Sequence, residues 1–263
     1  MELNLKDKRA LVTGSSRGLG YATAQGLAQE GAQLALNGRT PETLQASAAS
    51  LAEETGAVVH AIPGDLRDAD FPARLVTQSA EKMAGLDILV TNAGGPPAGA
   101  FEEFNEEQWA EAIDLSFMSH VRLIRAALPH LRASDAASVL TITSYSVKQP
   151  IPNLVLSNSI RSATIGLTKT LALELGKDGI RFNSILPAWT ETERVYELMQ
   201  HRAGQKGSSV EEEIAAQSQS SPLGRMGKPE EFANAAVFLV SPAASYITGV
   251  MLAVDGGMYK GTF

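Results

Sequence analysis

The chain has 263 residues, 44% hydrophobic and 19% charged, with a net charge of −7. These totals suit one α/β domain with a full core and exclude a disordered chain, and the acidic balance argues against a nucleic-acid partner. Cysteine is absent, which excludes disulfides, thiolate metal ligands and a cysteine nucleophile; no metal site is expected. Residues 1–6 lack a signal-like apolar stretch and no apolar run is long enough to span a membrane, so the expected setting is the cytoplasm.

Strand-like and helix-like segments alternate from end to end. Residues 9–13 form an apolar run that reads as a buried strand, and residues 21–30 have helical spacing. Between them lies Thr13-Gly14-Ser15-Ser16-Arg17-Gly18-Leu19-Gly20. Gly14 permits a sharp turn, and Gly18 and Gly20 let the backbone approach a pyrophosphate. With a strand before and a helix N-terminus after, the turn predicts a nucleotide-phosphate site.

Further strands are predicted at 33–36, 58–62, 86–91, 138–143, 180–186 and 250–254. Helices are predicted from Thr40-Pro41, over 68–84, over 106–131 with a kink or end near Pro129, and over 156–176 and 229–240. The alternation implies a single Rossmann-type domain over residues 1–263. Its core would be a doubly wound parallel sheet of about seven strands, with helices on both faces. Ligands bind such a sheet outside the carboxyl ends of its strands. Residues 193–222 are polar and interrupted by Gly204, Gly207, Ser208 and Ser209. They read as a lid over a substrate cleft, or as a solvated insertion.

The second strand ends in Leu36-Asn37-Gly38-Arg39-Thr40, with no acid to accept from a ribose 2′-hydroxyl. Arg39 and Arg17, helped by Asn37, are placed to meet a 2′-phosphate through charge-assisted hydrogen bonds. NADP(H) is therefore favoured over NAD(H).

Several motifs together make the chain resemble the short-chain dehydrogenase/reductase family, in particular the branch of 3-oxoacyl-carrier-protein reductases. The glycine turn matches the family's TGxxxGxG. Asp65-Leu66 matches a pair that approaches adenine, and Asn92-Ala93-Gly94 matches a motif that steadies the sheet beside the cofactor. Pro187 to Thr192 matches PGxxxT with Ala188 in place of glycine, and 222–231 and 248–257 match the C-terminal pattern. The resemblance runs nearly end to end. It implies a homo-oligomer, commonly a tetramer that pairs two long helices, and a small carbonyl or hydroxyl substrate, with an acyl thioester among the options. The apolar residues on several sides of helix 156–176 suit such a partner.

The resemblance breaks at the catalytic positions. Family members use a serine, a tyrosine thirteen residues later, a lysine four beyond that, and an asparagine from the preceding long helix. Here those positions hold Ser144, Ser157, Arg161 and Ser116. Tyr145 and Lys148 are spaced Y-x-x-K rather than Y-x-x-x-K and lie in the loop beside Ser144, so they do not restore the pair. An alkanol is far less acidic than a phenol, and arginine does not give up a proton to a relay. Arg161 would supply charge and grip the nicotinamide ribose. A water held by Ser157 and Arg161, or His120, is a substitute donor. Trp189 and the Tyr196–Met199 patch are expected to line the substrate pocket. Two main readings follow: an NADP(H)-dependent oxidoreductase with an unconventional proton donor, or a non-catalytic NADP(H)-binding protein such as a sensor or partner subunit. A relic that binds the cofactor weakly is a third.

Overall fold

The structure, a computed structural model, describes residues 1–262. Its centre is a seven-stranded sheet in the order β3-β2-β1-β4-β5-β6-β7. The strands are β1 (Arg9–Val12), β2 (Gln33–Gly38), β3 (Val59–Pro63), β4 (Ile88–Thr91), β5 (Ser138–Ile142), β6 (Arg181–Pro187) and β7 (Met251–Val254). Every pairing is parallel, and β1 pairs with both β2 and β4, which places the switch in strand order at the glycine turn.

Helices cover both faces because alternate strand residues point to opposite sides. On one side lie α1 (Gly18–Gln29), α2 (Pro41–Thr55) and α9 (Pro229–Val240), where Leu27, Leu44 and Phe232 pack with Val12, Leu36 and Val90. On the other lie α3 (Phe71–Met83), α5 (Ser119–Arg132) and α6 (Val155–Leu175), where Leu75, Leu123 and Ala172 pack with Leu11, Leu89 and Val139. Each fully buried leucine contributes about 1.5–3 kcal/mol relative to exposure, so both layers are firmly held.

The segment predicted as one helix over 106–131 is two. α4 (Glu106–Ile113) and α5 are separated by a π-helical turn, Asp114–Met118. Pro129 neither ends nor interrupts α5, which continues to Arg132. The break lies earlier, where the Thr164 hydroxyl of α6 donates to the carbonyl of Ser116 at 3.1 Å. A neighbour that satisfies a backbone group stabilises a widened turn.

The segment 193–222 is more ordered than its polarity suggested. It forms α7 (Glu193–Lys206) and α8 (Val210–Gln219). Thr192 caps α7, Gly207 ends it with φ of 71°, and Ser209 and Glu212 form a capping box on α8. The carboxylate of Glu213, 7% exposed, binds Lys206 and Ser208 at 2.8 Å each and locks the two helices together.

At the far end of the sheet, Arg181 ties α9 down. Its guanidinium donates to the carbonyls of Leu239, Val240 and Ser241 at 2.6–3.0 Å and of Ile247 at 3.4 Å. These include the last carbonyls of a helix, which have no partner within it. Burial draws this arginine below the ordinary guanidinium range, to about 10.

Candidate active site

A cleft of about 590 Å³ opens at the carboxyl ends of the strands. It runs from the end of β2, across the glycine turn and the loop after β4, to the N-terminal half of α6 and the start of α7.

The first end is a cradle made of backbone. Gly14 and Gly18 adopt φ of 55° and 61°, which an L side chain resists. A Cβ on Gly20 would stand 2.3 Å from the Gly14 carbonyl oxygen, so α1 can approach the turn only with glycine there. No side chain caps α1 and its first turn holds no acid, leaving its N–H groups and positive dipole end for an anion. A dinucleotide's phosphates fit this donor set.

Gly14, Ser16, Arg17, Gly18, Leu19, Arg39, Asp65, Leu66, Ala93, Gly94, Pro187 and Thr192 all line the cleft. Ser15 and Gly20 do not, because both are spent on the turn itself. The Ser15 hydroxyl donates to Val12 O at 2.7 Å and accepts from Asn37 N at 3.2 Å, while Gly20 packs on Gly14. Asn37 lines the cleft but was expected to help with a 2′-phosphate. Both its amide hydrogens are committed to the carbonyls of Ile62 and Gly64, at 3.1 and 3.2 Å, so it joins β2 to the end of β3 instead. Asn92 donates to Gly14 O at 3.0 Å, stapling β4 to the turn. The Asp65 carboxylate is held by Arg67, whose hydrogen bonds keep it below the usual range.

The other end holds Ser144, Ser157 and Arg161 together. Ser144 follows β5 and its Oγ accepts from Ser146 N at 3.1 Å. Ser157 and Arg161 are one turn apart on α6, and Arg161 Nε donates to Ser157 Oγ at 3.2 Å. Arg161 Nη1 donates to the carbonyls of Thr143 (2.9 Å) and Ile142 (3.3 Å). Nη2 makes no hydrogen bond among the described residues; a Cβ on Gly95 would stand 3.7 Å from it. Desolvation draws Arg161 down to about 10, so it stays cationic at neutral pH, and no carboxylate pairs with it among the described residues. Neither serine hydroxyl donates to a protein acceptor among the described residues, so both hydrogens are free for a substrate oxygen.

Three expectations change. Ser116 does not line the cleft; it is buried at 3% exposure with its hydroxyl unpartnered, because the π-turn faces α6. His120 is also buried, and desolvation, then the charge of Arg161, pushes it down to about 3, so it is neutral and is no imidazolium donor. Of the Tyr196–Met199 patch, Leu198 lines the cleft with Trp189 and with Val195 beside it, but Met199 is fully buried and Tyr196 faces outward.

Tyr145 and Lys148 engage different partners. Burial raises the Tyr145 phenol, which lines the cleft with Trp189, while the Lys148 ammonium lies 5.1 Å over the Tyr259 ring. Sequence reading also missed an ion pair across the cleft, Arg17 Nη1 to Glu193 Oε2 at 2.6 Å. Its members are 176 positions apart, and no local pattern marks them as neighbours.

Comparison with known proteins gives the family and agrees with the fold. The profile of the family described as Enoyl-(Acyl carrier protein) reductase matches residues 14–259. The chain belongs to the short-chain dehydrogenase/reductase family. It is 32% identical to an uncharacterized oxidoreductase, YvrD, of Bacillus subtilis, over 99% of both chains. The L-sorbose reductase of Gluconobacter frateurii, solved with NADPH and L-sorbose, superposes with a TM-score of 0.95 at 33% identity, covering 99% of this chain and 100% of that one. An NADPH-bound short-chain oxidoreductase of Pseudomonas aeruginosa, described as containing an atypical catalytic centre, superposes at 0.87 with 32% identity, covering 96% and 97%. As a member of this oxidoreductase family the chain has the seven-stranded parallel fold its sequence predicted. Among the described residues no helix is long and apolar enough to cross a membrane.

Proposed function

We propose that this short-chain dehydrogenase/reductase transfers hydride between NADP(H) and a small carbonyl or hydroxyl compound, using Ser144, Ser157 and Arg161 in place of a serine–tyrosine–lysine set. The observation that carries the reading is the hydrogen bond from Arg161 to Ser157 at one end of a cleft whose other end is a phosphate cradle. Arg17 and Arg39 line the cradle and suit a 2′-phosphate; NADPH in both solved neighbours supports the same choice. The cofactor would supply or accept the hydride.

The chain's own groups do the rest. Ser144 and Ser157 point free hydroxyl hydrogens at the substrate oxygen. Arg161 polarises Ser157 through Nε and offers Nη2 as a fixed positive charge where negative charge grows on that oxygen. A proton reaches the oxygen through Ser157 Oγ from a water in the cleft. Losing a tuned phenol costs about 10²–10⁴-fold, so turnover is slow and favours reactive carbonyls. The substrate is a small polar ketone, as in the L-sorbose reductase, or a 3-oxoacyl thioester, as the motif resemblance suggests. α7 and α8 serve as its lid. The exposed face of α6, where Leu173 is 76% exposed, suits a second copy in a homotetramer, which light scattering would detect.

The test is NADPH oxidation with a panel of activated ketones and 3-oxoacyl thioesters, beside a cofactor titration. Slow turnover on at least one substrate is expected. Tight NADPH binding with no turnover would instead favour the cofactor-binding protein. Ser157→Tyr combined with Arg161→Lys should raise the rate by about 10²-fold or more.

A further inference from the structure

Among the described residues a single ion pair joins the two lips of the cleft, and the proposed chemistry does not use it. Arg17 stands at the start of α1 and Glu193 is the first residue of α7; their side chains are 60% and 66% exposed. Beneath them the lips nearly touch, since a Cβ on Gly18 would lie 3.9 Å from the Thr192 methyl. Arg17 faces the same end of the cleft as Ser16, Gly38 and Arg39, and there the glycine turn meets the end of β2: a Cβ on Gly38 would be 3.1 Å from that of Ser16. Arg39 makes no ion pair among the described residues, so of these two arginines one is open and the other is held by a carboxylate.

A carboxylate brings one charge to Arg17. A phosphate monoester brings about 1.5–2 charges and three acceptor oxygens. An exposed ion pair is weak enough to be displaced by such an anion. We propose that Glu193 is a specificity-determining residue of the cofactor cleft: it pairs with Arg17 across the cleft and gives way when a 2′-phosphate takes the guanidinium. The proposal rests on the NADP(H) reading above. Its consequence is a penalty that falls only on nucleotides whose phosphate claims Arg17, together with release of the first turn of α7 when they bind.

The test is calorimetric titration of ADP-ribose and 2′-phospho-ADP-ribose into the full chain and its Glu193→Gln, Arg17→Gln and doubly substituted forms. Glu193→Gln should tighten binding of the 2′-phosphorylated nucleotide by about two- to fivefold and leave ADP-ribose unchanged. Arg17→Gln should weaken the phosphorylated nucleotide alone, and adding Glu193→Gln to it should change nothing further. The proposal is overturned if Glu193→Gln has no effect, weakens both nucleotides alike (the pair would then be a strap over the bound cofactor), or acts equally in the Arg17→Gln background. Equal binding of the two nucleotides by the unmodified chain would overturn the NADP(H) reading itself. A clear preference that Glu193→Gln leaves unmoved would overturn only the role of Glu193.

Discussion

Arg161 and Arg181 are both guanidiniums drawn down to about 10 by desolvation, and among the described residues neither pairs with a carboxylate. They differ in where their donors go. Arg181 spends both terminal nitrogens on four backbone carbonyls, three of them at the end of α9. Arg161 anchors itself through Nη1 and Nε and leaves Nη2 facing the cleft. The lesson is that a perturbed charge alone does not mark a functional site. The unspent donor does, together with the surface it lines.

Breaking the comparison at Arg181 should have the largest effect on stability. Arg181→Met leaves four backbone carbonyls without that donor, and each buried acceptor left unsatisfied costs about 1–3 kcal/mol, so a loss of roughly 3 kcal/mol or more is expected. Chemical denaturation should show that loss, while the folded fraction keeps its kcat. Arg161→Met frees only the carbonyls of Thr143 and Ile142, at a half-buried site that opens to the cleft and its water, so stability should stay within about 1.5 kcal/mol of the unmodified chain. Its cost appears in the chemistry, as a fall in kcat of about 10²-fold at saturating NADPH.

His120, which feels the charge of Arg161, sharpens the comparison by pH. The folded protein resists protonating it until about 3, whereas an unfolded chain accepts that proton near 6.5. Stability is therefore complete above about 6.5 and is lost as pH falls toward 3. Between pH 7 and 4 the loss from this one group is about 3 kcal/mol, and His120→Asn should remove it from a denaturation series. The smallest expected effect is an absence of slope. Arg161 keeps its proton up to about 10, so kcat should be flat from roughly pH 6 to 9, without a phenol's limb.

The sheet and the cradle were legible because their signals are local. An apolar run, three glycines and a helix in sequence leave one arrangement for Gly14, Gly18 and Gly20. That Ser157 and Arg161 share a face of α6 was legible too, since a spacing of four on a helix brings two side chains together. What stayed hidden depends on distant partners. Asn37 has the chemistry of a phosphate ligand, but its amide hydrogens go to the carbonyls of Ile62 and Gly64, partners 25 and 27 positions away. Ser116 is turned inward by a π-turn that Thr164 of α6 supports. α7 and α8 escaped because their outward faces are polar, although Ser209 and Glu212 spell a capping box that could have flagged α8.

The most direct test of the account is the initial rate of NADPH oxidation at saturating cofactor, measured with the same ketone and thioester panel on the unmodified chain and on Arg161→Met. The account predicts slow, measurable turnover that drops about 10²-fold in the variant while the fold survives. No turnover despite tight NADPH binding, or turnover that Arg161→Met leaves unchanged, would contradict it.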